Sequence, residues 1–267
     1  KSIPHSASRN AINQGYSIFC NKIGFNKILF FIIYTSMTAD KRKYGFRRAF
    51  TLRPHLLKGM LSISGWTMVQ SFISVSIWFI FFLAIEHLGE RPLAVTNIVR
   101  NISALLIMVI SAFATTAGAL ISNQIGAGEQ RCLFKTCGMT LKLTYAILIP
   151  LLIILCLFPE SVLRAFTDSP SLIAASVNSV YVMASSTLIM APSFILFNAV
   201  SGTGNTRAGF IMEMISLAVY TAVIYYGIIR LKPDVALCWF SEHVYGVTLI
   251  FLAWWYLKSG KWRGKKV

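Results

Sequence analysis

The chain has 267 residues, of which 56% are hydrophobic and only 13% are charged. A soluble globular domain carries about a quarter charged residues, so this composition excludes an ordinary soluble protein. Lys and Arg number 25 against 9 Asp and Glu, but they lie between long apolar runs. This arrangement favours charge-directed membrane orientation over nucleic-acid binding, and we expect membrane lipid, not nucleic acid, to surround the chain.

The first 58 residues are predicted to precede the main domain as two segments. Residues 1–38 contain one apolar stretch, Ile28–Met37, which is shorter than the roughly 20 residues that a bilayer requires. We interpret this segment as a partial or degraded helix, and the chain as a fragment of a longer protein. Residues 39–58 form a basic linker, with seven Lys and Arg residues against the single acid Asp40.

Six apolar runs follow within residues 59–257, and each reaches or approaches the length of a transmembrane helix. They are Ser62–Ile85, Thr96–Ser122, Leu143–Phe158, Ala174–Val200, Ala208–Ile229 and Val235–Leu257. We therefore predict an all-α polytopic membrane protein whose main domain is a six-helix transmembrane bundle. Residues 258–267 form a short basic tail.

The basic residues concentrate on alternate connections between these runs. The linker at 39–58, the connections at 123–142 and 201–207 and the tail at 258–267 carry most of them. The positive-inside rule places these segments in the cytoplasm, together with the C-terminus. We expect an integral protein of a bacterial cytoplasmic (inner) membrane.

Polar and charged side chains lie inside several of the predicted spans. Polar and small residues recur on one face of the second span, at positions 97, 101, 104, 108, 111, 115, 118 and 122. Such a face predicts either a helix–helix seam or the wall of a water-filled cavity, and Asn97, Arg100 and Asn101 favour the cavity in the outer half. Charges at membrane depth are costly, so Arg100 either snorkels to the outer interface or faces the cavity. Glu213 is expected to pair or to handle protons. Glu242 lies a turn or two into the sixth span, and an interfacial position is one interpretation of it.

Two glycine-rich strings, SNQIGAGE at 122–129 and SGTGNTR at 201–207, end the second and fourth spans. A dinucleotide site needs a strand before the glycines, and a P-loop needs a lysine; neither is present. We predict that the glycines end helices and turn the chain, because glycine adopts positive φ freely. The residues of these turns are Asn123, Gly126, Gly128, Gly202, Gly204, Thr206 and Arg207.

Together the two strings resemble those of the multidrug and toxic compound extrusion (MATE) family. The basic stretch Lys41–Arg53 is similar to the linker between that family's two six-helix lobes. The resemblance covers residues 38–257 and implies one lobe of a twelve-helix, two-lobe transporter. It implies a secondary active antiporter, not an enzyme, that exports organic cationic or amphipathic compounds by alternating access. The coupling ion would be Na⁺ or H⁺, without another cofactor, and the partners would be the missing N-terminal lobe and a small organic substrate.

The resemblance is incomplete at the acids of this lobe. Many relatives carry one acid in the first helix and another in the fourth, where this chain has Gln70 or Ser74 and Ala191 or Ser193. Coupling could therefore lie in the absent lobe or have moved to Glu213. The candidate substrate and ion pathway consists of Gln70, Asn97, Arg100, Asn101, Asn198 and Glu213.

Three other functions remain open. A lipid-linked oligosaccharide flippase of the same superfamily would use cations such as Arg100 for pyrophosphate. A membrane enzyme acting on lipids is disfavoured because paired carboxylates and metal-binding acidic clusters are absent from the sequence. An inactive truncated membrane protein would explain the unusual first forty residues. The scattered cysteines and histidines predict neither a disulfide framework nor a metal site.

Overall fold

The computed structural model describes residues 54–231, 233–260 and 262. The predicted partial helix at 1–38, most of the basic linker at 39–58 and much of the tail at 258–267 lie outside the described residues. Backbone contacts divide the chain into two units, Lys1–Met60 and Leu61–Val267. The first helix begins near the end of the first unit, and all other described helices lie in the second.

All regular structure in the described part of the chain is helical. Eight α-helices occur there, and we number them in chain order. They are α1 (Pro54–Glu86), α2 (Glu90–Gly126), α3 (Leu133–Leu157), α4 (Pro159–Arg164), α5 (Pro170–Gly202), α6 (Thr206–Val223), α7 (Val235–Cys238) and α8 (Ser241–Ser259). A 3₁₀ turn, Gln130–Cys132, precedes α3, and a π-helical segment, Ile224–Arg230, continues α6.

Six helical segments are long and apolar enough to cross a membrane, which confirms the predicted all-α six-helix bundle. They are Thr67–Glu86, Glu90–Gly126, Gln130–Leu157, Pro170–Gly202, Thr206–Arg230 and Val235–Ser259. The third begins well before the predicted Leu143. Lys135 and Lys142 lower the hydropathy of its first turns, so the sequence pattern assigned these turns to a connection. The sixth is interrupted between α7 and α8, at Trp239 and Phe240.

The centre of the bundle is the long pair α2 and α5. These helices pack along most of their length, and α5 also packs against α3 and α8. One core cluster joins α2, α3 and α5 around residues such as Ile102, Leu148 and Val180, which are buried. A second cluster joins α2, α5 and α8 around Ile121, Ile195 and Leu249. The buried face of α2 is mostly apolar. Its predicted polar face is exposed at positions 101, 104, 108 and 115 and half-buried at positions 97, 111, 118 and 122.

The first span contacts the bundle mainly through side chains. Phe81, Ala84 and Ile85 of α1 are buried against Tyr220 and Ile224. Close backbone approach between α1 and the other helices is sparse, in contrast to α2 and α5. The wider spacing leaves room for a cavity between α1, α6 and α8.

The glycine strings form the turns that the sequence predicts, but the glycines divide into two kinds. Gly128 (φ 82°) and Gly204 (φ 78°) adopt the left-handed conformation that favours glycine. Gly126 and Gly202, by contrast, are the last residues of α2 and α5 and do not have positive φ. Gly202 serves packing instead, because a Cβ there would lie 2.5 Å from the carbonyl oxygen of Gly118. We call the end of the bundle that carries Gly128 and Gly204 the glycine end.

Candidate functional site

A cavity of about 260 Å³ lies between α1, α2, α5, α6 and α8. Its wall is mostly apolar and aromatic, but two carboxylates, Glu213 and Glu242, also line it. The other lining residues are Ser74, Val75, Trp78, Ile107, Met190, Phe194, Leu217, Tyr220 and Tyr245. An apolar pocket with a few convergent polar groups is the usual form of a small-molecule site.

Glu213 is presented to the cavity by one face of α6. Spacings of three and four residues place Glu213, Ser216 and Tyr220 on the same side of this helix, and all three are buried. The Glu213 side chain is only 4% exposed. Burial at membrane depth is costly for a carboxylate unless hydrogen-bond donors surround it.

Two hydroxyl groups from distant helices supply those donors. Tyr245 on α8 donates from its hydroxyl to Glu213 Oε1 at 3.0 Å and to Oε2 at 3.1 Å. Ser74 on α1 lies with its Oγ 2.9 Å from Glu213 Oε1. The carboxylate thus joins α6 to both α1 and α8.

The Ser74 hydroxyl fits either protonation state of Glu213. Its Oγ is also 3.0 Å from the backbone carbonyl oxygen of Gln70, and a hydroxyl has one proton but two acceptor lone pairs. When Glu213 is ionised, Ser74 can donate to the carboxylate. When Glu213 is protonated, Glu213 can donate to Ser74, and Ser74 then donates to the Gln70 carbonyl. The site can therefore gain or lose a proton without leaving a buried polar atom unpaired.

Glu242 forms a second, separate carboxylate site in the same cavity. It lies in the first turn of α8 and is only 8% exposed. The hydroxyl of Tyr220 donates to its Oε1 at 2.8 Å, and Trp78 lines the cavity together with it. The rings of Tyr220 and Tyr245 touch edge to face, with centroids 5.8 Å apart. The two tyrosines therefore connect the two carboxylates.

Three residues of α1, spaced by four, organise this region: Ser74, Trp78 and Phe82. Such spacing places them in a row on one helix face. Ser74 contacts Glu213, and Trp78 lines the cavity together with Glu242. Arg100 of α2 lies over Phe82, with its Cζ 5.0 Å from the ring centroid, and is 6.0 Å from the centroid of Trp78. The row thus passes from acidic neighbours near Ser74 to a basic neighbour near Phe82.

The other predicted pathway residues lie elsewhere on this lobe. Asn97 is half-buried and donates to the Leu93 carbonyl, and Asn198 donates to the Phe194 carbonyl. Asn101 is exposed, and Gln70 contributes the backbone carbonyl described above. Of the six residues predicted for the pathway, Glu213 lines the cavity, and Arg100 reaches it through Trp78.

Sequence reasoning missed the second acid and its partners. Glu242 was interpreted as interfacial, because it lies near the start of the last apolar run. Its burial depends on Trp78 and Tyr220, which come from other helices. The spacing of four between Ser74, Trp78 and Phe82 was the available signal, since it marks a face of α1 with a hydroxyl and two aromatic rings.

No cluster of three or more metal-ligating side chains occurs among residues 54–231, 233–260 and 262. The polar groups of the cavity are oxygen ligands and hydrogen-bond donors instead. They can accept a proton, bind a monovalent cation or pair with an organic ammonium group.

The MatE family profile matches residues 67–226, which is more than half of the chain. The chain belongs to the MatE family. It is therefore an integral membrane protein of a transporter family that includes multidrug efflux proteins. No curated protein sequence matches the chain significantly.

Solved transporter structures share the fold. An outward-facing multidrug resistance MATE transporter of the MOP superfamily is 14% identical, with a TM-score of 0.68 over 76% of this chain and 46% of that chain. A MOP superfamily transporter from Pyrococcus furiosus is 14% identical, with a TM-score of 0.66 over 74% of this chain and 44% of that chain. A MATE protein in a straight conformation is also 14% identical, with a TM-score of 0.66 and coverages of 79% and 47%.

The chain thus spans less than half the length of these structures. Its six-helix bundle corresponds in fold to one lobe of a MATE transporter. At such low identity, the likeness concerns the fold alone.

Proposed function

We propose that this chain is one lobe of a cation-coupled antiporter that exports organic cationic or amphipathic compounds by alternating access. The observation that carries the proposal is the buried Glu213 carboxylate, which lies in an aromatic cavity and receives hydrogen bonds from Ser74 and Tyr245. A carboxylate in such a place can bind a proton or an organic cation, but not both at once. That competition would couple the export of the organic cation to the entry of a proton.

The geometry favours the proton over Na⁺ as the coupling ion. The Ser74 hydroxyl can reverse its hydrogen bond when Glu213 is protonated, because the Gln70 carbonyl accepts the hydroxyl proton. A sodium ion would instead need several oxygens freed from their present hydrogen bonds. Protonation therefore requires the smaller rearrangement.

A lipid-linked oligosaccharide flippase, the alternative that Arg100 suggested, fits the cavity less well. A pyrophosphate group carries negative charge and would meet the carboxylates of Glu213 and Glu242. An organic cation meets complementary charge there, together with aromatic faces that attract cations.

The test is uptake of ethidium into everted membrane vesicles that contain the complete protein, because an exporter moves its substrate into the lumen of such vesicles. We expect a proton gradient to drive ethidium movement and Glu213→Gln to abolish it, because the amide cannot exchange a proton. Glu86→Gln is the matched control, since Glu86 is exposed at the end of α1. Ethidium transport that is driven by a sodium gradient alone would show that the coupling ion is Na⁺ and not H⁺. Unchanged ethidium uptake by vesicles that carry Glu213→Gln would overturn the role of this residue.

A further inference from the structure

Arg100 is a cation at membrane depth whose guanidinium donates no hydrogen bond to any residue that the structure describes. It is half-buried, and its guanidinium lies over the rings of Phe82 and Trp78. A guanidinium carries five N–H donors. Among the described residues, no carboxylate or carbonyl oxygen accepts from them, and the two ring contacts are the interactions that hold the group.

Ring contacts alone do not balance the cost of this charge. A cation–π contact offsets only part of the free energy needed to bury a guanidinium in a bilayer. Planar guanidinium groups bind carboxylates and phosphates through two parallel hydrogen bonds. An anionic group is therefore the kind of ligand that this guanidinium matches best.

Arg100 is connected to the cavity through the side chain of Trp78. Trp78 lies under Arg100 on one side and lines the cavity beside Glu242 on the other. On α1, Ser74 and Phe82 are eight residues apart, which corresponds to about 12 Å along a helix. A ligand that reaches from the acids to Arg100 would therefore span roughly 6–12 Å along the Ser74–Trp78–Phe82 row.

We propose that Arg100 is the anion-binding end of a two-charge substrate site, and that the preferred substrate is an amphiphilic zwitterion. Its cationic group lies at Glu213 and Glu242, its aromatic or apolar body lies against Trp78 and Tyr220, and its carboxylate or phosphate pairs with Arg100. This inference rests on the proposed transport function and narrows its substrate class. Arg100 acts as a specificity-determining residue, and cations without an anionic group bind without using it.

The test is equilibrium binding of two matched dyes to the purified complete protein. Rhodamine 110 carries a cationic ring system and a free carboxylate, and rhodamine 123 is its methyl ester. Fluorescence anisotropy gives both dissociation constants without an ion gradient, so the result does not depend on coupled transport. We expect rhodamine 110 to bind more tightly, and Arg100→Gln to weaken it about tenfold or more while changing rhodamine 123 less than about twofold.

Two further variants complete the design. Arg100→Lys keeps the charge but loses the bidentate geometry, so rhodamine 110 affinity should fall between those of the wild type and Arg100→Gln. Arg230→Gln is the matched control, because Arg230 also lies over an aromatic ring, that of Tyr225, but is exposed and outside the cavity. It should change neither affinity.

The outcomes separate this inference from the proposed function. Equal weakening of both dyes by Arg100→Gln, or no weakening of either, would overturn the two-charge site and leave cation transport standing. Binding of neither dye would overturn both. Weaker rhodamine 110 binding in nanodiscs that contain phosphatidylethanolamine than in pure phosphatidylglycerol would support the site and identify a zwitterionic lipid headgroup as a competing occupant.

Discussion

Gly202→Ala tests a close backbone contact between α5 and α2. A Cβ at position 202 would lie 2.5 Å from the carbonyl oxygen of Gly118 and 3.2 Å from its Cα. Both neighbours are backbone atoms, so no side chain can rotate away. Ordinary contact begins near 3.4 Å, so the two helices must separate by about 0.9 Å at this point, the difference between the two distances.

Such overpacking costs about 1–3 kcal/mol. Alanine regains at most about 1 kcal/mol of helix propensity, and less here, because Gly202 is the last residue of α5. We expect a net loss of about 2 kcal/mol in the free energy of unfolding. For a chain of this size that corresponds to a fall in Tm of roughly 4–8 °C.

The assay is fluorescence-detected size-exclusion chromatography of the detergent-solubilised complete protein after heating. Gly138→Ala is the control, because Gly138 lies inside α3 and a Cβ there meets nothing within 4 Å. We expect Gly138→Ala to melt at or above the wild-type temperature. If Gly202→Ala has the same melting temperature as Gly138→Ala, the close crossing of α2 and α5 is refuted.

Two further changes test the cavity and the glycine end. Ser74→Ala removes the group that can pair with Glu213 in either protonation state, so we expect proton-driven efflux to fall by about tenfold. The control Ser76→Ala loses only a local bond to the Phe72 carbonyl and should transport normally. Equal rates for the two variants would contradict the proposed role of the Ser74 hydroxyl. Asn205→Ala removes the cap that accepts from the Ala208 N–H and the bond to the Tyr256 hydroxyl at 2.7 Å, so the free energy of unfolding should fall by about 1–2 kcal/mol. Tyr256→Phe, which loses only the second bond, should cost less in the same thermal assay.

The fold could be predicted from hydropathy, because a bilayer imposes helices of a minimum length. Two predictions differed from the structure, the start of α3 and the role of Gly202. Lys135 and Lys142 made the start of α3 look like a connection, although the helix simply extends beyond the apolar run. Gly202 was predicted to turn the chain, and a sequence cannot distinguish a turning glycine from one that another backbone touches.

The candidate site was only partly predictable. Glu213 stood out because a carboxylate inside a 20-residue apolar run needs an explanation. Its partners could not be inferred, since Ser74 is 139 positions away and Tyr245 is 32 positions away. Glu242 was misjudged because its depth depends on how α8 packs against Trp78 and Tyr220, which one sequence without related sequences does not reveal.

The central claim is that Glu213 exchanges a proton for an organic cation. The most direct test adds tetraphenylphosphonium to the purified complete protein in weakly buffered detergent and measures the proton release with a pH-sensitive dye. We predict that the wild-type protein releases a proton for each cation bound, and that Glu213→Gln binds the cation with little or no release. Equal release from Glu213→Gln, or cation binding by the wild type with no release at any pH, would contradict the account.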